Sequence, residues 1–128
     1  MILFIDTADN NYLRLELRVG AGRVLARSRQ RANRRQGEKL LPAVDKLLAR
    51  QQRTLADLKQ VVVASGQNRG SSFTAVRVGV TTANALAYGL GIAVADEQGH
   101  SLAEAGVRIV PPVYQSAPLI GQRLWISP

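Results

Sequence analysis

The apolar residues of this chain change their period near residue 37, and that change limits the folds open to it. Before it, residues 2–5 are uniformly apolar, and Tyr12–Val19 alternates apolar and polar residues after its first pair. These patterns are typical of a buried and a half-buried strand. Gly20-Ala21-Gly22 favours a hairpin into a third strand at residues 24–26. From residue 37 to residue 51 the apolar residues instead form one stripe of a helix. Because proline is tolerated only in the first turn or at a kink, Pro42 allows the helix to begin up to one turn later.

The second half of the chain adds two buried strands around another helix. Residues 54–58 have the pattern of a capped turn, and residues 61–64 and 92–95 are short apolar runs of the kind found in buried strands. A helix is predicted between these strands, over about residues 73–88. Three strands, a helix, a strand, a helix and a strand predict an α/β fold, with a mixed β-sheet and packed helices.

The second helix has small residues at regular intervals. They recur every fourth position, as Ala75, Gly79, Ala83 and Ala87. A ridge of small side chains lets another backbone approach closely. The uncharged run over residues 78–95 is 18 residues long, about the length of a candidate membrane span. Its polar residues and the break at residues 89–91 favour a helix followed by a strand.

Composition excludes several kinds of site. The chain has no cysteine and one histidine, His100. Disulfides and cysteine zinc sites are therefore excluded, and a histidine metal site is not expected. Because no second histidine or carboxylate pair supports catalysis, we predict no catalytic residue, metal or cofactor. The lack of cysteine fits a reducing compartment, and Asp6 ends the apolar N-terminal run, so we predict a cytoplasmic protein without a signal peptide.

Positive charge is concentrated in one third of the chain. The net charge is +8, and residues 14–53 hold 12 Lys or Arg against 3 Asp or Glu. Such a patch attracts nucleic acid, anionic lipid or an acidic protein, or only keeps a surface solvated. The arginines cluster at Arg27, Arg29, Arg31, Arg34 and Arg35. We take Arg31, Arg34 and Arg35 as nucleic-acid candidates. A solvated strand end and loop is the plainer interpretation, since no aromatics interleave with them as on a base-stacking surface.

Three segments match one protein family in order and spacing. They are Ile-Asp-Thr-Ala at residues 5–8, Gln-Gly-Glu-Lys-Leu-Leu-Pro at residues 36–42, and Ser-Phe-Thr-Ala-Val-Arg-Val-Gly at residues 72–79. Over residues 1–106 the chain resembles the TsaB family, bacterial partner proteins in threonylcarbamoyladenosine modification of tRNA. It departs from the usual pattern where Arg-Gly-Ser replaces Gly-Pro-Gly before the third segment, at Ala75 in place of Gly, and at Gln36 in place of the common His.

The resemblance implies a fold and a role. The fold is the ribonuclease-H-like lobe of the actin-like ATPase fold, which has the element order predicted above. Residues 1–106 would form the N-terminal lobe, and residues 107–128 a proline-containing tail without an assigned role. Because a typical member continues for about one further domain, we expect a shortened member of the family or a diverged paralogue. The role is that of a non-catalytic partner of a TsaD-like transferase, which meets tRNA indirectly or through the basic patch.

The resemblance also implies a partner surface on the two helices. It would consist of Leu41, Val44 and Leu48 on the first helix and Val76, Val80, Ala83 and Ala87 on the second. A single lobe of this kind is expected to form an isologous homodimer through the same surface.

Two local features leave other functions open. The Asp6-Thr7 turn lies where actin-like ATPases hold a metal-bound phosphate. Asp6 more simply orders the turn, because no P-loop lysine or glycine cradle is present. Residues 66–72 either bind an anion at the N-terminus of the second helix or only cap it. A small nucleotide-binding, ATPase-like protein and a basic tRNA-binding module are therefore the alternative functions.

Overall fold

A computed structural model describes residues 1–20, 22–64 and 73–99 of the chain. These residues form five strands, two α-helices and a short 3₁₀ turn. In chain order the elements are β1 (Ile2–Asp6), β2 (Tyr12–Val19), β3 (Arg23–Arg31), α1 (Gln36–Arg50), the 3₁₀ turn Leu55–Asp57, β4 (Gln60–Val63), α2 (Phe73–Leu90) and β5 (Ala93–Asp96). The predicted order of strands and helices is confirmed.

The five strands form one mixed sheet in the order β3-β2-β1-β4-β5. The pairs β1–β2 and β2–β3 are antiparallel, whereas β1–β4 and β4–β5 are parallel. Both helical connections run toward the β5 edge, and right-handed crossovers in one direction put both helices on the same face. Consistent with this, α1 packs on β2 and β3, α2 packs on β1, β4 and β5, and the helices contact each other.

The core lies between the sheet and the two helices. Alternate strand residues face the helices and are almost wholly buried: Leu3, Ile5, Leu13, Leu15, Leu17, Val61, Val63 and Val94. Burying one such side chain stabilises the fold by about 1.5–3 kcal/mol. The alternation predicted for β2 is therefore the pattern of a strand with one apolar face and one polar face.

β3 extends well beyond the predicted third strand. It continues to Arg31, and its last residues pair with β2 from Ala26 opposite Leu17 to Arg31 opposite Tyr12. The arginines alternate with smaller residues that face the helices, so the run satisfies the two-residue period of a strand. The prediction that the strand ends near residue 26 is wrong, because arginines at alternate positions continue the period of a strand with one solvent-facing side.

The uncharged run over residues 78–95 breaks as predicted. α2 ends at Leu90, and Gly91 adopts a φ of 68°, a left-handed conformation that favours glycine after a helix. β5 begins two residues later. Within the described ranges, no helix has the length and apolar character needed to span a membrane.

A close contact fixes α2 over the sheet. Thr7, the residue after β1, is fully buried, and its Oγ1 donates a hydrogen bond of 2.5 Å to the Ala75 carbonyl. One turn further along α2, a Cβ added at Gly79 would overlap Thr7 Oγ1. The small residues Ala75 and Gly79 on α2 therefore do allow a close approach, and the side chain that approaches, Thr7, belongs to this chain.

We expect Gly79→Ala to destabilise the fold, although Ala is about 1 kcal/mol better than Gly inside a helix. The added methyl group overlaps Thr7 Oγ1, and overpacking of this kind costs about 1–3 kcal/mol. In a Thr7→Ala background the overlapping hydroxyl is gone, so the same substitution should be neutral or stabilising. Urea unfolding of all four proteins in this cycle measures the coupling free energy.

Gly89→Ala is the matched control on the same helix, because a Cβ at Gly89 meets nothing within 4 Å. It should raise the free energy of unfolding by up to about 1 kcal/mol in both backgrounds. An equal effect of Gly79→Ala with and without the Thr7 hydroxyl would contradict the proposed contact.

The start of α1 is tied to the turn between β1 and β2. Gln36 is buried, at 3% exposure, and its Nε2 donates hydrogen bonds of 2.9 Å to the carbonyls of Asp9 and Asn10. The backbone amides of Ala32 and Arg34 also bond to this turn, at Asn11 and Asn10. The position at which the family commonly has His thus carries a structural amide.

Gln36→Glu should lower the free energy of unfolding by about 2–3 kcal/mol, because a carboxylate offers no donor and would be buried against two carbonyl oxygens. Gln52→Glu makes the same chemical change at an exposed residue just after α1 and should stay within about 0.5 kcal/mol. Chemical denaturation of both variants at neutral pH is the measurement. If the two variants unfold at the same urea concentration, Gln36 does not anchor α1.

Candidate functional site

The carboxyl ends of the parallel strands form the edge where open α/β sheets usually bind ligands. Asp6 ends β1 and Asp96 ends β5, with β4 between them. Asp96 is 7% exposed and its Oδ1 accepts a hydrogen bond of 2.9 Å from the Gln98 amide. Among the described residues, no group of three or more metal-ligating His, Cys, Asp or Glu side chains comes together.

Both carboxylate oxygens of Asp6 contact residues of the same sheet and turn. Oδ1 accepts a hydrogen bond of 2.9 Å from the Ala8 amide, and Oδ2 lies 3.3 Å from a guanidinium nitrogen of Arg14 on the neighbouring strand. These contacts are those expected of a side chain that orders the turn, which was the simpler of the two interpretations.

Of the two residues in the Asp6-Thr7 turn, Thr7 is the less accessible to a nucleotide. Its side chain is fully buried, and its hydroxyl proton is given to the Ala75 carbonyl. A phosphate group would have to displace that bond and open the contact between β1 and α2. The suggestion that Thr7 meets a phosphate is therefore corrected for this conformation.

Six of the seven residues predicted for the partner surface lie in the core. Their side chains are at most 2% exposed: Val44, Leu48, Val76, Val80, Ala83 and Ala87. The apolar stripe of each helix faces the sheet of its own lobe, since burying that stripe is what holds the helix in place. Only Leu41, at 50% exposure, is available to a partner. The assignment of the other six side chains to the surface is wrong, while a surface on the same two helices stays a prediction.

The two helices expose different residues from those predicted. The outward stripe of α1 includes Leu41, Asp45 and Ala49, and that of α2 includes Arg77, Thr81, Ala85 and Tyr88. We call these seven residues the helix surface. Leu41 and Tyr88, the latter 77% exposed, are the large exposed hydrophobic residues of the described part of the chain.

The nucleic-acid candidates separate into two places. Arg31 is the last residue of β3, whereas Arg34 and Arg35 are exposed in the loop before α1. On the sheet face opposite the helices, Arg31 joins other polar residues of β2 and β3. We call this set the arginine face: Tyr12, Arg14, Glu16, Arg18, Arg27, Arg29 and Arg31.

Aromatic rings do interleave with these arginines, which the sequence analysis missed. The Arg29 guanidinium carbon lies 3.9 Å from the centroid of the Tyr12 ring, and that of Arg18 lies 4.5 Å from the Phe4 ring. The partners belong to different strands, so they are distant in sequence. The available signal was the matched alternation of the second and third strands, which places Tyr12 and Arg29 on one face.

Several predicted features lie outside the described residues. They are the loop at residues 66–72, His100 and the tail at residues 107–128.

Comparisons with known proteins agree with this fold. A family model described as TsaD, tRNA N6-adenosine threonylcarbamoyltransferase, matches residues 28–105. Two structures from Pseudomonas aeruginosa are similar, one of YeaZ and one of an uncharacterized protein with similarity to peptidase YeaZ. Both are 25% identical over 74% of this chain, with a TM-score of 0.64. No curated protein sequence gave a significant match.

The chain spans less than half of these structural relatives, 42% of the first and 41% of the second. YeaZ is another name for TsaB, so the resemblance stated from three segments is confirmed. The chain belongs to the family of the TsaD model and is, within it, a TsaB-like protein that corresponds to part of its longer relatives.

Proposed function

We propose that this chain is a non-catalytic accessory subunit in N6-threonylcarbamoyladenosine modification of tRNA, acting in the cytoplasm. It would bind a TsaD-like transferase through the helix surface and position it for catalysis. The role rests on the TsaB-like fold, and the assignment as accessory rests on Asp6 and Thr7, whose polar groups are held by internal contacts.

The exposure of Leu41 and Tyr88 is the observation that supports a partner surface. Each lies on the outward side of one of the two helices, while the remaining large apolar residues of the described chain are buried or only partly exposed. Contiguous exposed apolar patches that are rimmed by polar residues mark interaction sites, and we propose that Leu41 and Tyr88 belong to one such patch. Asp45, Thr81 and Arg77 supply such polar neighbours on the same stripes. Interfaces draw most of their binding free energy from a few anchor residues, among which tyrosine is enriched.

Leu41→Glu and Tyr88→Glu should each weaken binding to a TsaD-like protein of the same organism by about thirtyfold or more, as expected for a buried anchor. Both residues are exposed in the free chain, so neither substitution should unfold it. Co-purification of the pair, followed by titration with surface-immobilised transferase, gives the affinities.

Ala56→Glu is the matched control, because it adds one negative charge at an exposed residue outside the two helices. It should bind like the wild type. If all three variants retain full affinity, the partner does not use the helix surface. Sedimentation of the chain alone tests the homodimer: a dimer that dissociates in Leu41→Glu shares this surface, and a dimer that persists does not.

The competing function is that of a small nucleotide-binding protein which uses the Asp6-Thr7 turn. We expect calorimetric titration with ATP and Mg²⁺ to show no saturable binding, because Thr7 is buried and Asp6 is paired with Arg14. A saturable heat that disappears in Asp6→Asn would overturn this expectation and favour the ATPase-like alternative.

A further inference from the structure

The arginine face carries more positive charge than its folding requires. It presents five arginines, and the carboxylates near them are Glu16 and Asp6. Glu16 pairs with Arg18 at 2.8 Å and with Arg27 at 3.4 Å, and Asp6 pairs with Arg14. Within the described ranges, Arg29 and Arg31 form no ion pair. The face therefore keeps uncompensated charge at the β3 edge of the sheet.

Two of these arginines oppose each other directly. In the β2–β3 register Arg14 lies across from Arg29, and like charges at directly opposed positions destabilise a strand pair. The side chain of Arg14 is 56% exposed and that of Arg27 is 71% exposed. An anion bound between the two strands would relieve this repulsion and reach the guanidinium groups from solvent.

The face also offers flat surfaces beside its charges. Arg29 lies over Tyr12, and Arg18 over Phe4, at distances typical of cation–π contacts. Nucleobases stack on aromatic rings and on guanidinium planes, whichever base is presented. Phosphate-binding charge and stacking surfaces are thus combined on one side of the sheet.

The spacing of the arginines fits an extended strand. Arg27, Arg29 and Arg31 alternate along β3, which is an edge strand, so their attachment points are about 7 Å apart in a row. The distance between successive phosphates of an unpaired nucleic acid strand is similar to this spacing. A row of three arginines could therefore contact successive phosphates of one strand. Neither described helix lies on this side of the sheet, because both pack on the opposite face.

We propose that the arginine face binds single-stranded nucleic acid, with Arg27, Arg29 and Arg31 on phosphates and Tyr12 as a stacking surface. An acidic protein segment would pair with the arginines, but its carboxylates would not stack on the aromatic rings. The proposal does not depend on the transferase partnership, since the helix surface lies on the other side of the sheet.

The test is fluorescence anisotropy of the full chain with labelled single-stranded RNA and DNA dodecamers, from 50 to 200 mM salt. Arg27→Gln/Arg29→Gln/Arg31→Gln removes three phosphate contacts. It should flatten the slope of log affinity against log salt by about 2 and weaken binding at 50 mM salt by at least roughly twentyfold. Tyr12→Leu keeps apolar bulk without a ring and should weaken binding about fivefold or more, with the salt slope unchanged.

Lys46→Gln/Arg50→Gln/Arg53→Gln is the matched control. It removes the same three charges from exposed positions on and just after α1, and should keep most of the affinity. If both triple variants lose the same affinity, the loss is explained by net charge alone and the proposal is overturned. So would the absence of binding by the wild-type chain, or competition by poly-glutamate as strong as by RNA. Preference for RNA or for DNA in the two arms identifies the natural ligand class.

Discussion

The contact between Thr7 and α2 is the constraint on which the arrangement of the lobe depends. β1 is the central strand of the sheet, so the residue that follows it lies beneath the helix layer. There the Thr7 hydroxyl bonds the Ala75 carbonyl, and its position leaves no room for a Cβ at Gly79. α2 can therefore cross the sheet only where it presents a residue without a side chain. The small residues along α2 serve the packing of this lobe before any other purpose.

The same contact decides what the turn after β1 can do. Asp6 and Thr7 point to opposite sides of the strand: one pairs with Arg14 on the arginine face, and the other is buried under α2. A side chain that holds a helix in place through its hydroxyl is not free to bind phosphate. The contacts of this turn in the structure are thus structural, and among the described residues the exposed surfaces of the sheet and helices are accessible to partners.

Much of this fold could be predicted from periodicity, whereas its surfaces could not. Alternation in β2 and the helical stripe of α1 reveal which residues are buried, because burial produces the period. They do not reveal what buries them. The family resemblance placed Val44 and Val80 on a partner surface, and periodicity could not correct this, although both side chains are buried in the core of the same lobe. Likewise, the stacking of Arg29 on Tyr12 depends on the β2–β3 register, which the sequence does not state.

β2 makes the core and the arginine face inseparable. Its leucines point toward the helices, while Arg14 and Glu16 alternate with them on the other side. A slip of one residue would exchange the two sets, so the buried leucines fix where every charge lies. The partly exposed ion pairs of this face add only about 0–1 kcal/mol each, and the opposition of Arg14 and Arg29 acts against stability. Folding therefore supplies the placement of these charges but not a reason for them, and the proposed binding of single-stranded nucleic acid would supply one.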